Sequence, residues 1–121
     1  VMALKVIQYP KCGTCRKALK YLQEKGVAFE TRHIVEEPLS RDELVSLVEK
    51  SGLPVQKFFN TSGQKYRELG LSKKLKDMSD DEKLNLLASD GMLVKRPIVT
   101  DGKRVTVGFR EEEFEKLWVG K

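Results

Sequence analysis

Cys12 and Cys15 stand three residues apart in Tyr9-Pro10-Lys11-Cys12-Gly13-Thr14-Cys15-Arg16-Lys17. A cysteine pair at this spacing, ahead of a helix and flanked by cations, points to thiolate chemistry. Unpaired backbone N–H groups and the positive end of the helix dipole favour the charged sulfur at such a position. Lys11, Arg16 and Lys17 add positive charge around the same turn. Cys12 is therefore the expected nucleophile, and Gly13 would let a ligand approach the backbone closely. At i, i+3 Cys15 falls on the same helix face, where it could resolve an adduct on Cys12 by closing a short disulfide. The competing account is a pair of inert, structural thiols.

Zinc is the other chemistry a C-x-x-C motif suggests, but it needs about four ligands. The chain has two Cys and one His, His33, and no second C-x-x-C. No metal is expected. His33 reads as a half-exposed strand residue, because nothing in the sequence ties it to Cys12. Neither a Gly-rich phosphate loop nor a Ser/His/Asp set is present. Thr14 and Arg16 sketch a small anion loop of the form Cys-x-x-x-Arg, too short to carry weight alone.

The elements that position these residues follow from periodicity. Ala3 to Tyr9 reads as a strand, ended by Pro10. Ala18, Leu19 and Leu22, with Tyr21 alongside, recur at helical spacing over Thr14–Lys25, and Gly26 closes the run. Val27 to Val35 reads as a second strand, completing a β-α-β unit with parallel strands. Ser40-Arg41-Asp42-Glu43 and Ser79-Asp80-Asp81-Glu82 are capping boxes, each ahead of a leucine-rich stripe. Ser51-Gly52-Leu53-Pro54 breaks the first of these helices, and Tyr66 to Leu69 reads as one further turn. Met92 to Thr100 and Arg104 to Phe109 flank Asp101-Gly102, a hairpin signal. Glu111 to Trp118 reads as a last helix with acids in its first turn, expected to cover the second face of the sheet.

The sum is β-α-β, helices, β-β-α. It predicts an α/β, thioredoxin-like (glutaredoxin-like) mixed sheet flanked by helices. The expectation is a single domain over residues 1–121, with a core of about 1–36 and 92–121 and a helical insertion of about 37–91.

Five stretches, in order, resemble one family: the cysteine segment; Pro38-Leu39-Ser40-Arg41-Asp42-Glu43-Leu44; Tyr66-Arg67-Glu68-Leu69-Gly70-Leu71; Leu93-Val94-Lys95-Arg96-Pro97-Ile98-Val99; and Val107-Gly108-Phe109. It is the family of glutaredoxin-linked arsenate reductases (ArsC-like) and Spx-type transcriptional regulators. The resemblance runs from Lys5 to about Trp118. It implies that Cys12 is the nucleophile, that Arg96 contacts an oxyanion, and that Pro97 is cis and faces the active cysteine. A guanidinium is permanently charged and offers a planar donor fork suited to oxyanions. An X-Pro bond costs only about 0.5–1 kcal/mol in the cis form.

Departures matter too. The reductases carry further arginines where this chain has Asn60 and Phe109, or Gly108, with Arg110 nearby but out of register. They commonly lack the second cysteine that Cys15 supplies, a feature of the Spx branch, whose C-x-x-C is a redox switch. Gly52 falls near a glycine through which those regulators contact RNA polymerase, although a helix C-cap accounts for it. The chain ends at Lys121 without the polar tail usual in that branch.

Composition frames these expectations. Net charge is +5, but the cations are interspersed with acids, which reads as a solvated surface and predicts no direct nucleic-acid binding. No apolar run approaches the roughly 20 residues that span a bilayer, so no membrane association is expected. Val1-Met2-Ala3-Leu4-Lys5 shows no basic stretch followed by an apolar one, so no secretory leader and a cytoplasmic monomer are expected. The expected substrate is a small oxyanion, or a protein or low-molecular-weight disulfide. No bound cofactor is expected, and the co-substrate is a thiol reductant (glutathione/glutaredoxin or thioredoxin). Two functions remain open at this stage: a thiol-dependent reductase, including arsenate reduction, and a redox-switched regulator that docks on RNA polymerase.

Overall fold

The computed structural model describes residues 4–119. The expected strand start at Ala3 and the chain end at Lys121 lie outside those residues. The chain divides into two compact units: Val1–His33 with Arg96–Lys121, and Ile34–Lys95.

In the first unit, β1 (Leu4–Gln8) leads into α1 (Gly13–Glu24) and β2 (Phe29–His33). After Ile34–Lys95 the unit resumes with β3 (Ile98–Thr100), β4 (Val105–Val107) and a helix at Glu111–Trp118. The sheet order is β2-β1-β3-β4. β1 runs parallel to β2 and antiparallel to β3, and β3 is antiparallel to β4. This is the thioredoxin-like mixed sheet expected from the element order.

Alternation along β1 sends Leu4 and Val6 to one face, and Val6 pairs with Val99 of β3. Ala18 and Leu22 of α1 pack there with Phe114 and Trp118 of the last helix. The last helix therefore lies beside α1 on one sheet face, not on the second face as expected. Its Phe114 and Trp118, four apart, form the apolar stripe that meets α1. The Trp118 indole N–H, which burial would otherwise orphan, donates to Thr106 Oγ1 at 3.2 Å. Ile7 and Ile98 point to the opposite face and are also buried.

β2, β3 and β4 are each shorter than periodicity predicts, β2 covering only Phe29–His33 of the expected Val27–Val35. Gly91–Leu93 is a 3-10 turn whose Met92 N–H is held by the Asp90 carboxylate at 2.8 Å, and Val94 pairs with Phe59 in an isolated bridge. The strand expected from Met92 thus begins only at Ile98, after Pro97, which has no N–H to give a ladder. Gly108 turns away at φ 85°, donating its N–H to the Pro97 carbonyl at 2.8 Å, and so ends β4 before Phe109.

The second unit is helical. Both capping boxes form, at α2 (Arg41–Ser51) and at Asp80–Ser89. Between them lie a 3-10 turn at Val55–Phe58, α3 (Gln64–Glu68), α4 (Leu71–Lys74) and a 3-10 turn at Leu75–Asp77. The Asp80–Ser89 helix is α5, and the last helix, Glu111–Trp118, is α6. α2 packs on α5, where Arg41 reaches Asp81 at 2.6 Å and Asn85 at 2.8 Å. Gly52 closes α2 at φ 70°, a left-handed cap that a side chain would strain.

Candidate functional site

The turn Tyr9-Pro10-Lys11-Cys12 is closed by the Cys12 N–H donating to the Tyr9 carbonyl at 2.9 Å. Pro10 suits the second position of such a turn because its ring fixes φ. Cys12 is the N-cap of α1, with extended backbone at φ −84° and ψ 119°. Its carbonyl accepts the first helical hydrogen bond, from Arg16 N–H at 3.1 Å. An N-cap side chain faces the unsatisfied N–H groups of the first turn. The sulfur makes no regular capping hydrogen bond, yet the Cys15 N–H lies close enough to favour charge on it.

Two opposing influences set the Cys12 thiol. Partial burial works against ionisation, while the Cys15 N–H, the Cys15 thiol and the Arg96 guanidinium work for it. The favourable groups prevail, and Cys12 ionises below the ordinary thiol range. Cys15 behaves oppositely. It is fully buried, and burial pushes its thiol up to about 12. The Tyr9 N–H and Arg96 soften that rise, and negative charge on Cys12 adds to it. Both thiols are free.

Arg96 precedes a cis peptide bond to Pro97, which is buried at the start of β3. Its guanidinium carbon lies 5.4 Å from the centroid of the Tyr9 ring. The His33 ring meets the same tyrosine ring at 5.6 Å between centroids, with the planes 88° apart. His33 is half-buried and belongs to this aromatic contact.

The structure thus gathers Cys12, Cys15 and Arg96, with the cis Pro97 next to Arg96 in the chain. Lys11, Gly13, Thr14 and Arg16 lie exposed around the start of α1. A side chain at Gly13 would meet nothing within 4 Å, so the backbone there is open to an approaching ligand. Arg96 is the cation that acts on the Cys12 sulfur, where the sequence pointed first to Lys11, Arg16 and Lys17. Among the described residues, no group of three or more His, Cys, Asp or Glu could hold a metal, and no helix is long and apolar enough to cross a membrane.

Phe109 and Asn60 each have contacts of their own. The Phe109 ring packs edge-on against Phe114 at 4.8 Å and tilts over Tyr21 at 5.6 Å. Asn60 serves its own turn: its N–H donates to the Leu93 carbonyl at 2.8 Å, and its Oδ1 accepts from Ser62 Oγ at 3.2 Å. Arg110 caps α6 and pairs with Glu113 at 3.4 Å. Tyr9 is the residue that sequence reasoning missed. Its signal was an aromatic side chain between a strand and a proline, one turn ahead of the reactive cysteine.

The sequence model of the ArsC family matches residues 7–117. YusI of Bacillus subtilis (strain 168) is 62% identical over 117 residues, covering 97% of this chain and 99% of that protein. Global transcriptional regulator Spx of Streptococcus mutans is 33% identical over 105 residues, 87% of this chain and 75% of its own length. A crystal structure of a Bacteroides fragilis protein superposes with a TM-score of 0.92 at 49% identity, covering 96% and 98% of the two chains.

Proposed function

Since the chain belongs to the ArsC family, we propose that it is a thiol-disulfide oxidoreductase in which Cys12 attacks and Cys15 resolves. The observation that carries this reading is the asymmetry of the pair: an N-cap sulfur beside Arg96, and a fully buried thiol one turn behind it.

In the first step the Cys12 thiolate attacks one sulfur of a disulfide R–S–S–R′. A Cys12–S–S–R bond forms and R′S⁻ leaves. Cys12 is then neutral, which removes the charge that helped keep Cys15 protonated. Cys15 loses its proton to solvent or to the departing thiolate and attacks the Cys12 sulfur. RS⁻ leaves, and a Cys12–Cys15 disulfide remains. The substrate has gained two electrons and the protein has lost two. Glutathione with glutaredoxin, or thioredoxin, returns them through the same exchange in reverse. Such a cycle belongs in a reducing compartment, and we assign the protein to the cytoplasm on that ground.

A small oxyanion is the second electrophile to consider, with Arg96 as its guanidinium contact and Pro97, Gly13, Thr14, Arg16 and Lys11 around it. Phe109 and Asn60, in place of the expected arginines, weigh against arsenate. The test is turnover with glutathione and glutaredoxin, or with thioredoxin, using a small disulfide in one arm and arsenate in the other. Disulfide turnover that is abolished by Cys12→Ser supports the reading; no turnover of either substrate refutes it.

Similarity to the Spx regulator favours a second use of the same pair, as a switch rather than a catalyst. Disulfide closure would then change affinity for RNA polymerase. Capture of the polymerase by the oxidised protein but not the reduced protein, without turnover, would select this reading.

A further inference from the structure

We propose that Tyr9 is a positioning residue of this site, its ring face holding the Arg96 guanidinium at the Cys12 sulfur. The inference rests on the reading of Cys12 as the reactive thiol and adds a residue to it. Arginine is long and has many rotamers, so a guanidinium acts on one sulfur only if something fixes its place. Tyr9 offers a π face at 5.4 Å, within the range of a cation–π contact. A guanidinium that stacks through its face keeps its in-plane N–H donors for other partners.

Tyr9 is itself anchored at several points. Its carbonyl accepts the Cys12 N–H at 2.9 Å, and its own N–H acts on the Cys15 sulfur. The His33 ring braces the tyrosine ring at 5.6 Å, from the end of β2, where His33 pairs in register with Gln8. One residue therefore ties its backbone to both cysteines and its ring to the cation. The hydroxyl plays no part in this arrangement, which separates a π-face role from a hydrogen-bonding one.

The test measures the pH midpoint of Cys12 capture by iodoacetamide, read on the Cys12 peptide by mass spectrometry. Tyr9→Leu keeps apolar bulk but has no π face; it should raise the midpoint by at least half the rise that Arg96→Ala causes. Tyr9→Phe should leave the midpoint unchanged. In an Arg96→Ala background, Tyr9→Leu should add nothing, because the group it positions is gone. In the unaltered protein and in Tyr9→Phe, the tyrosine or phenylalanine ring current should shift the Arg96 Hδ resonances upfield, a readout that survives even if Tyr9→Leu does not fold. An unmoved midpoint in Tyr9→Leu, an equal shift with and without Arg96, or unshifted Arg96 resonances would each overturn the proposal. None of these readouts requires turnover, so loss of the oxidoreductase reading and loss of this one are distinguishable.

Discussion

Cys12 at the N-cap of α1 and Cys15 in its first turn hold opposite protonation preferences. The Cys15 N–H and thiol favour charge on Cys12, while burial, and then charge on Cys12, disfavour it on Cys15. A pair arranged in this way keeps one sulfur ready to attack and the other in reserve.

That asymmetry sets a pH dependence. Cys12 should alkylate with a midpoint below the free-thiol value of roughly 8.5, and Cys15 should resist alkylation throughout the neutral range. The sign for stability differs between the two. The Cys12 contribution is present above the unfolded thiol pKa and is lost as pH falls through the lower folded value. The Cys15 contribution is present below roughly 8.5 and is lost as pH rises towards about 12. The advantage in Tm of the unaltered protein over Cys15→Ala should therefore shrink as pH is raised through that upper window. An advantage that grows with pH would reverse the assignment.

Arg96→Ala should raise the Cys12 midpoint and weaken anion binding more than it weakens the fold. Each charge-assisted hydrogen bond lost is worth roughly 1.5–3 kcal/mol. Arg96→Lys should restore only part, since an ammonium lacks the fork and stacks less well on Tyr9. Sulfate affinity and Tm of both variants are the measurements. Unchanged affinity with a large fall in Tm would make Arg96 a structural residue.

Phe109 is a packing residue. Phe109→Arg should not create an anion site; it should cost roughly 1–3 kcal/mol by removing ring contacts with Phe114 and Tyr21. Urea unfolding gives the cost, and arsenate turnover by the same variant gives the other half. A gain of turnover at unchanged stability would contradict the packing account.

Exposed Lys11, Arg16 and Lys17 surround the start of α1. Capture of Cys12 by a dianionic disulfide should slow as salt rises from about 0.01 M to 1 M, while capture by a neutral disulfide should hardly change. Equal salt response of the two reagents would remove these cations from the substrate approach.

The motif, both capping boxes, the Asp-Gly hairpin and all of α6 were legible, because each depends on neighbours within one or two turns. The Cys12 cation was not: Arg96 lies 84 residues from Cys12 and comes to it only through the pairing of β1 with β3. Resemblance supplied Arg96, whereas local charge had pointed to Lys11 and Arg16. The side of the sheet that α6 covers was misread for the same reason, since amphipathic spacing marks a face of the helix and not the partner it meets. Tyr9 went unread because a ring before a proline has no chemistry until the structure puts a cation over it.

The most direct measurement of the central claim is the stoichiometry of reaction with an aryl disulfide, dithiobis(nitrobenzoate), followed by intact mass. The reduced protein should release two thiolates and end two hydrogens lighter, carrying no adduct. Cys15→Ser should release one and retain the other as a mixed disulfide on Cys12, and Cys12→Ser should react far more slowly than either. A stable adduct on the unaltered protein, or undiminished reaction of Cys12→Ser, would contradict attack by Cys12 and resolution by Cys15.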